Sequence, residues 1–253
     1  MTVTDTTRPA ETTAALQRPV YGAAHFTPDG RLTVGTHADG SLARWRIARR
    51  GRTEHTTIVG ATAAGISSLL RSVLHAAHTT GTAVQAIDLH GGLLAAAGHP
   101  SAASVAAART VLDEEHELAY TRLYQPAGER GLRLLVIDDL DELARDRRFV
   151  QALDQLVKVA GKAGIAVLAG THDVSLPGFG GNHLDASLIR ETLTQHLVTL
   201  RLPERSPARP LWTVGVDPDR FPPIPDKFRD GSSTAGIGYR PRQTSVPFRA
   251  WLP

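Results

Sequence analysis

The feature that most constrains this chain is a glycine loop between an apolar run and an amphipathic segment. Residues 60–68 read GATAAGISS, after the apolar run 56–59 and at the start of a helical pattern over 67–79. Strand, glycine loop and helix, in this order, are the context that supports the phosphate-binding motif G-x-x-x-x-G-K-[ST]. Gly60, Gly65 and Ser67 match the motif, whereas Ile66 stands where the motif has lysine. The pattern predicts a phosphate loop that has lost its cation.

Apolar runs alternate with helical patterns along the rest of the chain. The predicted strands are residues 56–59, 83–89, 132–137, 165–169 and 196–202, and the predicted helices are 67–79, 102–124 and 148–162. Strands that are apolar throughout and separated by helices indicate a parallel sheet that is covered on both faces. Two short runs around Asp39-Gly40 predict a hairpin over residues 31–47. We therefore predict an α/β fold with a twisted, mainly parallel sheet, helices on both faces and an N-terminal β-hairpin.

The two ends of the chain differ from this pattern. Residues 1–18 are rich in Thr and Ala and predict a disordered arm, which leaves 19–253 as the folded domain. Residues 203–230 carry seven prolines and predict an extended wrap that continues to residue 253. The segment 236–252 is predicted to return as a strand or an edge segment.

Composition excludes several classes of site. The chain has no cysteine, so disulfides and thiolate metal sites are excluded, and no apolar stretch approaches the ~20 residues of a membrane span. The net charge of +3 is compatible with a nucleic-acid partner without requiring one. We expect a cytoplasmic bacterial protein, with recruitment to a membrane machine left open.

The loop residues define the candidate nucleotide site. In a phosphate loop, backbone N–H groups at a helix N-terminus hold the phosphates, a lysine bridges them, and a Ser or Thr holds magnesium. The predicted nucleotide-binding residues are Gly60, Thr62, Gly65, Ile66, Ser67, Ser68 and Thr171. One charge pair at ~4 Å is worth roughly 4 kcal/mol at an effective dielectric near 20, so replacing the lysine by isoleucine predicts weak binding and little hydrolysis. A glycine turn without any ligand is the alternative.

Two carboxylates close the apolar run 134–137. A buried strand that ends in acidic residues is the Walker B pattern, in which Asp138 assists magnesium and Asp139 polarises the attacking water. We predict Asp138 and Asp139 as catalytic or vestigial residues, and Ser67 with Asp138 as the magnesium site when nucleotide is present. The alternative is a solvated acidic turn at a strand end. Thr171, at the end of the next strand, is predicted to sense the terminal phosphate or to cap a loop.

Taken in order, these segments resemble the FtsK/SpoIIIE/TraB-type DNA translocase ATPases, a family within the RecA-like P-loop class. The resemblance covers about residues 30–252. The matching segments are Val34-Gly35, Asp39-Gly40, His55, 60–68, Ile87-Asp88-Leu89-His90-Gly91-Gly92, 117–122, 136–139, Gly170-Thr171-His172, 180–190, 221–225 and 236–252. It implies a RecA-like fold, ATP and magnesium as cofactors, and closed rings that act on double-stranded DNA. Arg122 and Arg190 fall in the segments that resemble the arginine-bearing surfaces facing a neighbouring subunit's nucleotide.

The chain departs from the family pattern at the candidate site. Besides Ile66, it has Asp88-Leu89-His90 for Asp-Pro-Lys, Asp139 for the usual glutamate, and Thr171-His172-Asp173 for Thr-Gln-Arg. The leading hypothesis is a catalytically impaired ATPase-fold protein that serves as an assembly or scaffold subunit in DNA transfer, segregation or secretion. The expected partners are further copies of the chain, with a hexamer as the candidate, or a homologous ATPase subunit. The alternatives are an active DNA translocase, and a protein or peptide recognition module that uses the vacated nucleotide pocket.

Overall fold

A computed structural model describes residues 16, 22–27, 29–92, 101–181, 184–201 and 211–251. The described strands are β1 His25–Phe26, β2 Arg31–His37, β3 Leu42–Arg46, β4 Ala48–Arg49, β5 Arg52–Thr53, β6 Thr56–Gly60, β7 Ala83–Ile87, β8 Ser101–Ala102, β9 Arg133–Ile137, β10 Ile165–Thr171, β11 His196–Leu200, β12 Ile237–Arg240 and β13 Thr244–Ala250. The helices are α1 Ile66–Thr79, α2 Val105–Leu123, α3 Leu140–Leu143, α4 Arg147–Ala163 and α5 Leu184–Leu193, with short 3-10 turns at Ala127–Glu129, Pro177–Phe179, Leu211–Val214 and Pro218–Arg220.

A parallel sheet forms the centre of the described fold. Its strands lie in the order β11-β6-β10-β9-β7-β8, so β6, which leads into the glycine loop, lies between β11 and β10. Beyond β11, the antiparallel strands β12, β13 and β2 extend the sheet, and both β1 and β3 pair with β2. The hairpin predicted over residues 31–47 is confirmed as the β2–β3 pair. The predicted return of the C-terminal segment as a strand is also confirmed, by β12 and β13.

Helices cover the two faces of the parallel sheet. On one face, Leu70 and Val73 of α1 share a buried cluster with Val136 and Leu168 of the sheet. On the other face, α2, α4 and α5 enclose a second cluster that contains Leu135 and Val167. Adjacent residues of β9 and β10 therefore point into opposite clusters, which explains why these strands are apolar at almost every position.

Local hydrogen bonds set the ends of several elements where the sequence prediction was less accurate. Strand β7 ends at Ile87 rather than at residue 89, because Asp88 accepts a hydrogen bond from the His90 N–H (3.0 Å) and turns the chain. Helix α2 begins at Val105 rather than at 102, because Ala102 pairs with Ile87 and the Ser104 hydroxyl caps the Ala107 N–H at 3.2 Å.

Helix α5 was not among the predicted helices. Ala186, Ile189 and Leu193 are buried, whereas Leu184 is 75% exposed and Leu188 is exposed as well. Because apolar residues lie on both faces of this helix, its sequence lacks the one-sided pattern that marks an amphipathic helix.

The C-terminal segment packs around the β11 side of the sheet. Phe221, Ile224, Ile237 and Tyr239 form a third buried cluster with Val59 and Leu197. The described residues 211–230 contain short 3-10 turns rather than long helices. Residues 1–15, 17–18, 203–210 and 252–253, which belong to the predicted arm and the predicted wrap, lie outside the described residues. Of the described helices, none is long and apolar enough to cross a membrane.

Candidate functional site

The candidate site lies where the parallel strands reach their carboxyl ends. Strands β6, β9 and β10 lie side by side, and each is followed by one of the segments predicted from the sequence: the glycine loop, Asp138-Asp139 and His172. Ligands of open α/β sheets bind at this edge. The tertiary structure thus brings together residues that are separated by about 110 positions in the sequence.

The glycine loop turns directly into helix α1. Gly65 precedes the helix with a φ of 98°, and Ala63 also has a left-handed φ of 57°. A left-handed alanine is disfavoured, and such residues cluster at functional sites. No side chain caps the first turn, and this turn carries no acidic residue. The N–H groups there have no partner within the helix, so the loop retains the backbone part of an anion site.

The side chain of Ile66 is buried in the core. It is 5% exposed and belongs to the cluster between α1 and the sheet. A Cβ atom placed on Gly170 would lie 2.6 Å from Ile66 Cγ2, 2.9 Å from Asp138 Oδ1 and 3.1 Å from Leu70 Cδ1. Ile66 therefore packs directly over the glycine of β10. The prediction that Ile66 contacts nucleotide can apply only to its backbone.

Two contacts from the β11 side of the sheet hold the glycine loop by its carbonyl groups. The Gly236 N–H donates to the Ala64 carbonyl at 2.8 Å, and Arg201 Nη2 donates to the Thr62 carbonyl. Both contacts come from the sheet's antiparallel side, at the end of β11 and the start of β12. The loop is thus held by Arg201, directly after β11, and by Gly236 in the C-terminal segment that the sequence predicted as a wrap.

Ser67 and Asp138 lie close together, as the magnesium-site prediction requires. The Ser67 hydroxyl lies within reach of the Asp138 carboxylate. Burial raises the pKa of Asp138 to about 6, and the nearby carboxylates of Asp139 and Asp88 act in the same direction. Asp138 therefore remains mostly ionised at neutral pH. A hydroxyl beside a carboxylate fits an ion that prefers oxygen ligands, so these two residues would hold a magnesium ion that arrives with a nucleotide.

Two histidines bracket Asp139. His90 Nε2 lies 3.6 Å from Asp139 Oδ2 and 3.1 Å from Glu142 Oε2. From the other side, His172 Nε2 lies 3.8 Å from Asp139 Oδ1, while its Nδ1–H donates to the Gly60 carbonyl at 2.8 Å. Burial raises the pKa of Asp139, and both histidines oppose that shift. Asp139 starts the short helix α3 with a left-handed φ of 53°.

His90 and His172 stand beside the position predicted for water activation. The hydrogen bond to Glu142 and the charge of Asp139 raise the pKa of His90. The described residues contain no group of three or more His, Cys, Asp and Glu side chains that could hold a metal ion. Short contacts join His90 and His172 to the carboxylates of Asp139 and Glu142 in this cluster.

Thr171 does not face the loop. It is 1% exposed, and its hydroxyl oxygen lies 3.0 Å from two acceptors, Asp141 Oδ1 and the Asp173 carbonyl oxygen. Its neighbour His172 is the residue that contacts the loop. The predicted role of Thr171 as a phosphate sensor gains no support from this placement.

The two predicted arginines differ in their surroundings. Arg122 is engaged within its own chain, where Nε donates to the Ala163 carbonyl at 2.8 Å and Nη2 donates to Gly131. These contacts lie at the amino end of β9, away from the glycine loop. Arg190 is half-buried on α5, and within the described residues no hydrogen bond of its side chain is seen. The predicted role of either arginine toward a neighbouring subunit stays a prediction.

Comparison with known proteins gives structural matches alone. Neither a protein-family model nor a curated protein sequence matches the chain. Among solved structures, it is similar to ATPases 2 and 3 of EccC from Thermomonospora curvata in complex with a signal sequence peptide. The sequence identity is 18%, the match covers 88% of this chain and 41% of that chain, and the TM-score is 0.62. It is similar to the pCW3 conjugation coupling protein TcpA, a monomer form with ATPγS, at 16% identity over 91% of this chain and 70% of that chain, with a TM-score of 0.64.

A third match is EssC (ATPases 2 and 3) from Geobacillus thermodenitrificans, at 12% identity over 94% of this chain and 47% of that chain, with a TM-score of 0.59. The chain spans less than half the length of the EccC and EssC structures that it matches. The chain therefore shares the fold of these EccC, TcpA and EssC structures, an α/β fold with a mainly parallel sheet. The predicted resemblance to FtsK/SpoIIIE-like ATPases and the predicted fold class are confirmed at this level.

Arg201 was not predicted as a site residue from the sequence. A signal was present, because Arg201 lies near the carboxyl end of the predicted strand 196–202. In a parallel sheet, the residue after one strand lies beside the residue after its neighbour. Leu200 pairs with Gly60, so Arg201 leaves the sheet next to the glycine loop.

Proposed function

We propose that this chain is a P-loop subunit that binds a nucleotide with little or no hydrolysis and serves as an assembly or scaffold subunit. The machine it would serve is one of DNA transfer, segregation or secretion. The observation that carries this proposal is the burial of Ile66, at the lysine position, between α1 and β10. Backbone groups for phosphate binding are retained, whereas the side chain that would stabilise a transferring phosphoryl group is replaced by a core residue.

The surroundings of Asp139 also support weak catalysis. A catalytic acid at this position has to orient water, and aspartate is one methylene shorter than the glutamate of the family pattern. Asp139 lies within 3.6 Å of His90 and 3.8 Å of His172, so its carboxylate already has cationic partners when these rings are protonated. A magnesium ion held by Ser67 and Asp138 would neutralise phosphate charge and so favour binding.

The purified protein is expected to bind ATP with magnesium and to turn it over far below 1 s⁻¹, the low end of ordinary turnover numbers. Calorimetric titration measures binding, and phosphate release measures turnover, each with and without duplex DNA. The Asp138→Asn variant controls for contaminating enzymes. Turnover near 1 s⁻¹ that Asp138→Asn abolishes would instead establish the active translocase, the first alternative left open by the sequence.

Peptide recognition through a vacated pocket is supported less well. That alternative predicts an open apolar groove at Ile66, and the side chain is 5% exposed. The similarity to an EccC structure that contains a signal sequence peptide keeps peptide binding elsewhere on the chain as a candidate. No described feature ties such a peptide to the nucleotide site.

Self-association is the expected mode of assembly, because the resemblance to ring-forming ATPases implies a closed ring. We expect an oligomer, with a hexamer as the candidate, in light scattering at micromolar protein with ATP, duplex DNA or a homologous subunit present. Arg190→Gln is expected to weaken this assembly, whereas Arg109→Gln, a half-buried arginine on α2, and Asp138→Asn are expected to leave it intact. A monomer under every condition, without salt-dependent DNA binding, would contradict the ring.

A further inference from the structure

A buried arginine lies against the glycine loop, although no cation remains within the loop itself. Arg201 follows β11, whose residue Leu200 pairs in parallel with Gly60. The Arg201 N–H donates to the Ile237 carbonyl at 2.7 Å, which fixes its backbone at the end of the sheet. The side chain then extends along the loop and donates from Nη2 to the Thr62 carbonyl. Arg201 thus reaches the loop from its flank rather than from helix α1.

The charge of this arginine is compensated poorly. Arg201 is 8% exposed, and its buried Nε atom has no hydrogen-bond partner. An ion pair joins Nε to Asp226 Oδ1 at 3.5 Å, but the Asp226 side chain is 72% exposed. Solvent screens such a carboxylate strongly. A buried guanidinium on the glycine loop, whose Nε makes no hydrogen bond and has only an exposed carboxylate as its ion-pair partner, favours an anion in this place.

We propose that Arg201 supplies the positive charge of the phosphate site in place of the lysine that is missing at position 66. The ligand is the phosphoanhydride group of a nucleotide, so the inference rests on the proposed function and identifies how its site holds phosphate. A guanidinium presents its donors as a planar fork that matches phosphate oxygens. The competing explanation is that Arg201 only clamps the loop through Thr62.

The chain offers a matched control for this competing explanation. Arg240 is also 8% exposed, and its guanidinium donates to a backbone carbonyl, that of Arg44 on β3. Replacing Arg240 by glutamine removes the same kind of buried contact at a position that does not contact the loop. Comparing the two glutamine variants separates a loss of fold stability from a loss of the anion site.

Calorimetric titration with inorganic pyrophosphate tests the proposal directly. Arg201→Gln is expected to weaken pyrophosphate binding at least tenfold, the size expected for losing a charge-assisted hydrogen bond, whereas Arg240→Gln is expected to bind as the wild type does. If Arg201→Gln and the wild type bind pyrophosphate with equal affinity, Arg201 only holds the loop through Thr62. That result would overturn the proposal.

An exposed variant keeps the proposal testable if Arg201→Gln does not fold. Asp226→Asn removes the carboxylate that competes with phosphate for the guanidinium. Because the Asp226 side chain is exposed, this variant is expected to fold as the wild type does. We expect Asp226→Asn to tighten pyrophosphate binding about threefold, since an exposed ion pair is weak. Unchanged or weaker binding would contradict the proposal.

ATP as a second probe distinguishes this proposal from the proposed function. If the wild type binds pyrophosphate in an Arg201-dependent manner but does not bind ATP, the phosphate site stands and the nucleotide function is wrong. If ATP binds equally to wild type and Arg201→Gln, the function stands and the role of Arg201 is wrong. If the wild type binds neither probe, both are overturned.

Discussion

An Ile66→Lys variant is expected to bind ATP at least tenfold more tightly than the wild type. A lysine chain can leave its stem in the core that Ile66 occupies and extend its ammonium to the loop mouth. One charge pair at ~4 Å contributes roughly 4 kcal/mol at an effective dielectric near 20. Desolvation of the ammonium removes part of this gain, and tenfold tighter binding requires only about 1.4 kcal/mol.

The matched control is Ile66→Met, which has a similar length without the charge. Both variants lose part of a well-packed isoleucine, so both are expected to unfold at lower temperature than the wild type. Only the lysine variant is expected to gain affinity. Equal ATP affinity in the two variants would mean that phosphate does not enter the loop. ATP turnover is expected to stay low in Ile66→Lys. Position 139 still carries an aspartate, which is shorter than glutamate, and its carboxylate still lies close to His90 and His172.

The contribution of His55 to the stability of the protein is expected to fall by up to about 3 kcal/mol as the pH decreases from 7 to 4, whereas the raised pKa of Asp138 acts in the opposite direction. His55 is 7% exposed beneath the sheet, where Nδ1 accepts a hydrogen bond from the Val167 N–H at 3.1 Å. Burial lowers the pKa of His55 from 6.5 to about 4, which outweighs a hydrogen bond to the backbone at Val157.

The sign follows from which state binds the proton first. Above pH 6.5 the ring is neutral in both the folded and the unfolded chain, so the full stability is present. Between pH 6.5 and about 4 the unfolded chain is protonated while the folded one is not, and stability is lost as the pH falls. Below about 4 both states carry the proton, and the contribution of His55 levels off.

Denaturant unfolding at pH 4, 5, 6 and 7 measures this effect in the wild type, in His55→Asn and in His75→Asn. Asparagine keeps an acceptor near the Nδ1 position but cannot titrate, so the stability difference between the wild type and His55→Asn is expected to shrink as the pH falls from 7 to 4, despite the lower stability of the variant at pH 7. His75 is exposed on α1, and its replacement is expected to leave the pH dependence unchanged. A ring titration by NMR that places the pKa of His55 near 6.5 would contradict the prediction.

Sequence reasoning succeeded where one element or one short motif carries the information. The run 134–137 is apolar at every position because β9 is covered on both faces, so its burial is visible without the fold. Gly65 lies at a left-handed φ at the start of α1, and the motif requires glycine at this turn. The hairpin β2–β3 follows from Asp39-Gly40 in the same local way.

The chain by itself determined the parallel core strands, the helices α1, α2 and α4, and the absence of lysine at position 66. These are local properties, since periodicity and turn chemistry act over a few residues. Only the tertiary structure decided where the Ile66 side chain packs. It also decided that His172, rather than Thr171, contacts the glycine loop. The position of Arg201 against the loop is a third such result. Arg201 and Thr62 are 139 residues apart in the chain, and only the parallel pairing of β11 with β6 brings them together.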